Sequence, residues 1–192
     1  MKATEVLEQE NRVIEQVASA CAACADVLEQ GVRVPFDVLN SLVDFFRKYE
    51  DRYHRREEEL LLAMLREKGV PVGSCPMAVI GDENQKLTEL IRQLPSAVRI
   101  YIESNGTVTS TLIDTLSALA KFFPDHIWKE DFLLLPMADK VLSEEDQRSL
   151  KDSLHLIDST SGAEARSAVH MFGTAIDLCT EDAAWPQQIH FA

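Results

Sequence analysis

The chain repeats apolar residues every three to four positions, which is the spacing of one buried face of an α-helix. No segment alternates apolar and polar residues for long, so the pattern predicts an all-α protein. Breaks at glycine, proline and polar clusters predict helices at about 4–30, 35–68, 77–93, 108–142 and 143–156, with a sixth segment reaching about residue 179. We expect Pro95 to interrupt the third helix, "DSTSGAEA" to form a hinge and "EDAAWPQQIHFA" to be an irregular tail.

Long helices with short or moderate connections predict an antiparallel, up-down-up-down four-helix bundle with additional C-terminal helices packed outside it. We expect residues 1–150 to form the bundle and residues 151–192 to form a helical extension and tail of the same domain. Ser143 should begin the fifth helix, because "SEED" has the Ser-x-x-Asp spacing of a capping box.

The apolar stripe of the fourth helix contains two ionisable residues at its centre. At a period of 3.6 residues it runs Leu112, Leu116, Leu119, Phe123, His126, Glu130, Leu133, Met137, Val141. Asp131 lies about 100° around the helix from Glu130 and is less well directed. The second helix repeats the pattern, since His54 and Glu58 lie one turn apart on its apolar stripe.

The first and third helices each place one asparagine, Asn11 and Asn84, on an otherwise apolar stripe. All four long helices therefore direct a polar group toward the interior. Burying carboxylates costs several kcal/mol each unless their charge is compensated, and no lysine or arginine lies on these stripes. A divalent or trivalent cation would compensate it, because a histidine and a glutamate four residues apart can both reach one metal ion.

The pattern therefore predicts a metal site made by His54, Glu58, His126 and Glu130. One alternative stays open at this point. "RREEE" is also typical of a solvated run of charges supported by pairs four residues apart, and His126 could be a core histidine bonded to a carbonyl.

The composition excludes several classes of partner and of protein. The 192 residues are 46% hydrophobic, which is enough for a core, and the net charge of −13 argues against nucleic acid or an anionic membrane as a partner. The start lacks the order of a signal peptide, and no apolar run reaches the roughly 20 residues that cross a bilayer, so we expect a cytoplasmic protein. Four cysteines are too few for a disulfide scaffold, and Cys21 and Cys24 are interpreted as small core residues.

Two segments carry a family resemblance. "DRYHRREEELLLAMLREKGVP" in the second helix is similar to a His-His-x-x-Glu segment followed by an apolar run, and "FFPDHIWKEDFLLLPMADKVLS" in the fourth is similar to a His-Ile-x-Lys-Glu-Asp segment with a leucine-rich ending. Both resemble the hemerythrin-like (HHE cation-binding) family over roughly residues 4–150. The resemblance implies a four-helix bundle with non-haem iron, usually an oxygen-bridged pair, in proteins that bind dioxygen, sense oxygen or redox state, or act in stress and iron homeostasis.

The resemblance implies ligands residue by residue. His54 and His126 match terminal imidazole ligands, and Glu58 and Glu130 match bridging carboxylates. Asp131 matches a position that some members use instead of Glu130.

The chain departs from the family at two histidines. "ENRVIEQV" has Asn11 and "GDENQKL" has Asn84 where the family typically has histidine. An amide oxygen is a weak, neutral donor for iron, so two ions, one ion, or a metal-free polar core all remain open. The histidines of the C-terminal region, His155, His170 and His190, are not expected to replace them.

We therefore expect a non-haem iron protein that binds or senses oxygen, nitric oxide or redox state, rather than an enzyme. The alternatives are an iron-dependent enzyme that processes peroxide or nitric oxide, and a metal-free bundle that acts as an interaction module. The expected partner is a small diatomic or peroxide ligand at the metal, and a homodimer is left open.

Overall fold

The computed structural model describes residues 2–180, which fold into five helices and contain no strand. Helix α1 is Ala3–Glu29, α2 spans 36–67, α3 is Met77–Glu103, α4 spans 110–141 and α5 spans 144–180. The prediction of an all-α protein is confirmed, whereas the predicted tail at 181–192 lies outside the described residues. None of the described helices combines the length and the apolarity needed to cross a membrane.

Helices α1 to α4 form the predicted antiparallel bundle. The connections 30–35, 68–76 and 104–109 are short, so each helix returns alongside the one before it. Helix α4 packs against both α1 and α3, and α2 completes the ring through contacts with α1 and α3.

The apolar core is divided into two clusters by a polar layer. In α1, Leu7 belongs to one cluster, Ile14 belongs to the other, and the fully buried Asn11 lies between them. Each of the other three helices also has residues in both clusters, and its polar residues separate them. These separating positions are the ones that the sequence identified: His54–Glu58 in α2, Asn84 in α3 and His126–Glu130 in α4. The polar groups of all four helices therefore meet at one level of the bundle.

Helices α2 and α4 each contain a stretch of π-helix beside this layer, at Phe46–His54 and Glu130–Leu134. A π-helical turn contains an extra residue, so the side chains that follow are rotated by about 100°. In α4 the buried stripe consequently continues through Leu134 and Ala138. The predicted continuation through Leu133 was wrong, because Leu133 is 36% exposed.

Pro95 does not interrupt α3, contrary to the prediction. The helix runs unbroken from Met77 to Glu103 with the proline inside it. Pro95 lies on the exposed face, where water can replace the hydrogen bond that its missing N–H would make. Leu94 and Val98 on the buried face keep the helix packed on the core.

The predicted hinge at "DSTSGAEA" is also helical. Helix α5 begins after the capping box of Ser143 and Asp146, as predicted, and continues through a π-helical turn at Asp158–Gly162 to Thr180. The hydroxyls of Ser159 and Ser161 donate to main-chain carbonyls one turn earlier, which stabilises the polar turn as helix.

Helix α5 lies antiparallel along the outside of α2. Its first part, Glu144–Ile157, contacts Arg55–Glu67, and its last part, Ala163–Thr180, contacts Phe36–Phe45 and the π-helical stretch. It therefore covers the helix that contributes His54 and Glu58.

The loop between α1 and α2 is fastened to α3 by one tyrosine. The Tyr101 hydroxyl accepts a hydrogen bond from the main-chain N–H of Val34 at 3.1 Å and donates to its carbonyl oxygen at 3.2 Å. Both Tyr101 and Val34 are buried.

The Tyr101→Phe variant is expected to lose about 1–3 kcal/mol of unfolding free energy, because two buried main-chain groups lose their partner. Urea denaturation followed by circular dichroism measures this loss. Metal content should stay unchanged, since Tyr101 lies outside the polar layer. An unfolding free energy equal to that of the wild type would contradict this role.

Candidate metal centre

The centre of the polar layer contains one imidazole and two carboxylates. One ligand atom each from Glu58, His126 and Glu130 lie within 4.8 Å of one another, and all three side chains are buried. Nε2 of His126 is 2.8 Å from Oε1 of Glu130. Since Glu130 is one helical turn after His126, α4 supplies both groups from one face, and Glu58 faces them from α2.

His54 connects this group to a second one. Its Nε2 is 3.8 Å from Oε2 of Glu130, and its Nδ1 is 3.2 Å from Oε2 of Glu10 on α1. Glu10, His54 and Glu57 again place ligand atoms within 4.8 Å of one another. The described residues thus contain two groups, each of one histidine and two glutamates.

Each imidazole is oriented by a carboxylate behind it. Nδ1 of His54 faces Glu10, and Nδ1 of His126 lies 3.0 Å from Oε2 of Glu83 on α3. In both cases Nε2 is left directed toward Glu130. A carboxylate in this position sets the orientation and tautomer of a histidine whose other nitrogen binds a metal, which is the role that Glu83 would have for His126.

Asn84 and Asn11 face carboxylates rather than imidazoles. Nδ2 of Asn84 donates to both oxygens of Glu58, at 2.8 and 2.9 Å. Nδ2 of Asn11 donates to Oδ1 of Asp131 at 2.7 Å. Asp131 is thereby held half-buried beside α1 and belongs to neither group of ligands, whereas Glu130 lies inside.

One buried cation lies close to the layer, although no lysine or arginine lies on the predicted stripes. Arg55 is 7% exposed, and its Nη2 is 2.5 Å from Oε1 of Glu50. The extra residue of the π-helical stretch helps to turn Arg55 inward, which a regular 3.6-residue period does not predict. Its guanidinium compensates the charge of Glu50.

Burial and mutual contact shift the pKa values of these groups in opposite directions. Burial alone would raise the pKa of Glu130, but the imidazoles of His126 and His54 outweigh it and lower that pKa. Burial, followed by the neighbouring charge of Glu130, raises the pKa of Glu58 to about 7. Burial lowers the pKa of His126, but Glu130 and Glu58 outweigh this effect and raise it to about 9.

Sequence reasoning missed three glutamates of the site, Glu10, Glu57 and Glu83. A signal was present, because α1 and α3 carry the same dipeptide, Glu10–Asn11 and Glu83–Asn84, at matching heights. Each asparagine was identified because it lies on an apolar stripe, whereas the glutamate before it has the pattern of an ordinary surface residue.

The histidines of the C-terminal region do not join the layer. His155 and His170 are exposed on α5. His190 lies outside the described residues.

The sequence profile of the hemerythrin HHE cation-binding domain matches residues 2–138, which cover α1 to α3 and most of α4. The chain belongs to this family. No characterised protein and no solved structure gives a significant match. The family membership agrees with the bundle and with the His–Glu pairs of α2 and α4, while the assignment of individual ligands stays a prediction.

The residues of this hemerythrin HHE domain fit a bound cation. Oδ1 of Asn84 is buried and receives no hydrogen bond from the described residues. Buried acceptors without donors are costly in a folded protein, and a cation satisfies them directly. Imidazole and carboxylate are also the donors that iron, manganese and zinc accept.

Metal uptake is expected to weaken as the pH falls from about 8 to about 6. With a pKa of about 9 for His126 and about 7 for Glu58, the metal-free site holds protons at neutral pH, and a cation must displace them. Lower pH therefore favours the protonated, metal-free form.

Calorimetric titration with Mn(II) in two buffers of different ionisation enthalpy measures both the affinity and the released protons. An affinity that does not change over this pH range, without proton release, would contradict the described protonation states.

Proposed function

We propose that this protein binds non-haem iron in the polar layer and that the metal responds to oxygen, nitric oxide or redox state. The observation that supports the proposal is the buried group of Glu58, His126 and Glu130, with ligand atoms within 4.8 Å of one another. These three side chains would hold the ion, and Asn84 donates a hydrogen bond to one of them, Glu58. Membership of the hemerythrin HHE family supports iron over other metals.

Bound iron would supply a redox-active centre with open coordination positions for a small ligand. Residues of the chain orient the ligands of that centre and exclude water from it. Glu83 holds Nδ1 of His126, so Nε2 stays directed inward. The apolar clusters on both sides of the layer exclude bulk water, which strengthens each electrostatic interaction within it.

A surface pocket lies beside Glu83. It has a volume of about 270 Å³, lies between α3 and α4, and is lined by Glu83, Lys121, Phe122 and Asp125, among others. The Phe122 ring is 6.4 Å from the His126 ring. The pocket is therefore adjacent to Glu83, which holds the outer nitrogen of His126, and we propose that a diatomic molecule or peroxide approaches the layer from this side.

Two other functions have specific support. The resemblance places Asn11 and Asn84 where the family typically has histidine, and fewer imidazole ligands would leave more metal positions open, which favours an enzyme that processes peroxide or nitric oxide. The hydrogen bonds that both asparagines donate to carboxylates favour a metal-free interaction module.

Iron analysis of protein purified anaerobically with added iron separates the metal-free alternative from the others. Wild-type protein is expected to retain iron, and His126→Ala is expected to lose it, because the variant removes the imidazole of the central group. His155→Ala is the matched control, since it removes an exposed histidine outside the layer. Wild-type protein without iron and without a near-ultraviolet oxo–iron band would overturn the proposal.

Exposure to nitric oxide and to peroxide separates a sensor from an enzyme. For a sensor, the iron-loaded protein should change its absorption spectrum stoichiometrically and return to its original state when the ligand is removed. Stopped-flow absorption and gas- or peroxide-consumption assays measure both properties. Sustained catalytic turnover would instead favour the enzyme.

A further inference from the structure

The two histidines of the layer have outer carboxylates in very different electrostatic surroundings. Glu83, behind His126, also accepts from Nζ of Lys129 at 2.8 Å, so a lysine compensates its charge. Glu10, behind His54, instead faces a second carboxylate, Glu57. Glu10 keeps 11% of its side-chain surface exposed, and Glu57 is 1% exposed.

The difference arises at equivalent positions of two helices. Lys129 follows His126 by three residues in α4, and Glu57 follows His54 by three residues in α2. The molecule therefore contains the same arrangement of a histidine and an outer glutamate twice. In α4 the third residue after the histidine is a lysine, whereas in α2 it is a glutamate. Oε2 of Glu57 is buried and receives no hydrogen bond from the described residues.

We propose that a second divalent cation binds between Glu10, His54 and Glu57, in the position that corresponds to the ammonium group of Lys129. One imidazole and two carboxylates form a sufficient ligand set for Fe²⁺, Mn²⁺ or Zn²⁺, and one divalent ion neutralises the two carboxylates. This proposal rests on the proposed metal-binding function, but it uses residues other than Glu58, His126 and Glu130.

His54 serves this second ion through Nδ1, the nitrogen that faces Glu10 at 3.2 Å. Its Nε2 then keeps the ring proton, on the side where Oε2 of Glu130 lies at 3.8 Å. The two cation sites are thus joined through one neutral imidazole and one carboxylate.

Anaerobic titration with Fe(II), followed by desalting and metal analysis, tests the second site. Wild-type protein is expected to bind about two ions per chain and Glu57→Lys about one, because the new ammonium group takes the place of the second ion. Glu59→Lys is the matched control, since Glu59 is exposed on the same helix, and it should bind as the wild type does. Glu58→Gln should lose the central ion and keep the one at Glu57.

Thermal denaturation of the metal-free proteins supplies a second readout and shows whether each variant folds. Metal-free Glu57→Lys should melt at a higher temperature than metal-free wild type, since its ammonium group pairs with Glu10 as Lys129 pairs with Glu83. Equal iron content in Glu57→Lys and the wild type would overturn the second site while leaving the central one intact. Absence of bound iron from the wild type would overturn both.

Discussion

The buried layer of this bundle is organised by negative charge that its own side chains do not fully compensate. Six glutamates are buried or nearly buried around the two imidazoles: Glu10, Glu50, Glu57, Glu58, Glu83, Glu130. Among the described residues, Arg55 and Lys129 contact two of them. Such an excess is tolerated in a low-dielectric interior only if protons or bound cations neutralise it, and two divalent ions would balance the remaining four charges while both histidines stay neutral.

Two features of the fold hold these buried charged groups in place. The π-helical stretches end at His54 in α2 and begin at Glu130 in α4, so the extra residue in each helix adjusts the direction of a site residue. The apolar clusters above and below then hold the layer rigidly, because each helix is anchored on both sides of its polar residues. Glu83 completes the arrangement by orienting the imidazole of His126 from α3, while Glu10 faces the imidazole of His54 from α1.

Sequence periodicity was sufficient for the bundle and for the inward direction of His54, Glu58, His126 and Glu130, since these depend on a regular 3.6-residue repeat over long helices. It failed where the repeat itself changes, at Leu133 within the π-helical stretch. It also failed where a helix tolerates Pro95 or the Ser/Gly segment, because tertiary packing outweighs local preference. The outer glutamates Glu10 and Glu83 were missed because they lie beside the apolar stripes rather than on them, and the Glu–Asn dipeptide that they share was their one sequence signal.

Anomalous diffraction at the iron absorption edge, from crystals of protein loaded anaerobically with Fe(II), tests most directly whether metal ions compensate the buried charge. A peak is predicted among the ligand atoms of Glu58, His126 and Glu130. Density for a fully ordered layer with no anomalous peak would contradict compensation by metal and would assign the role to protons.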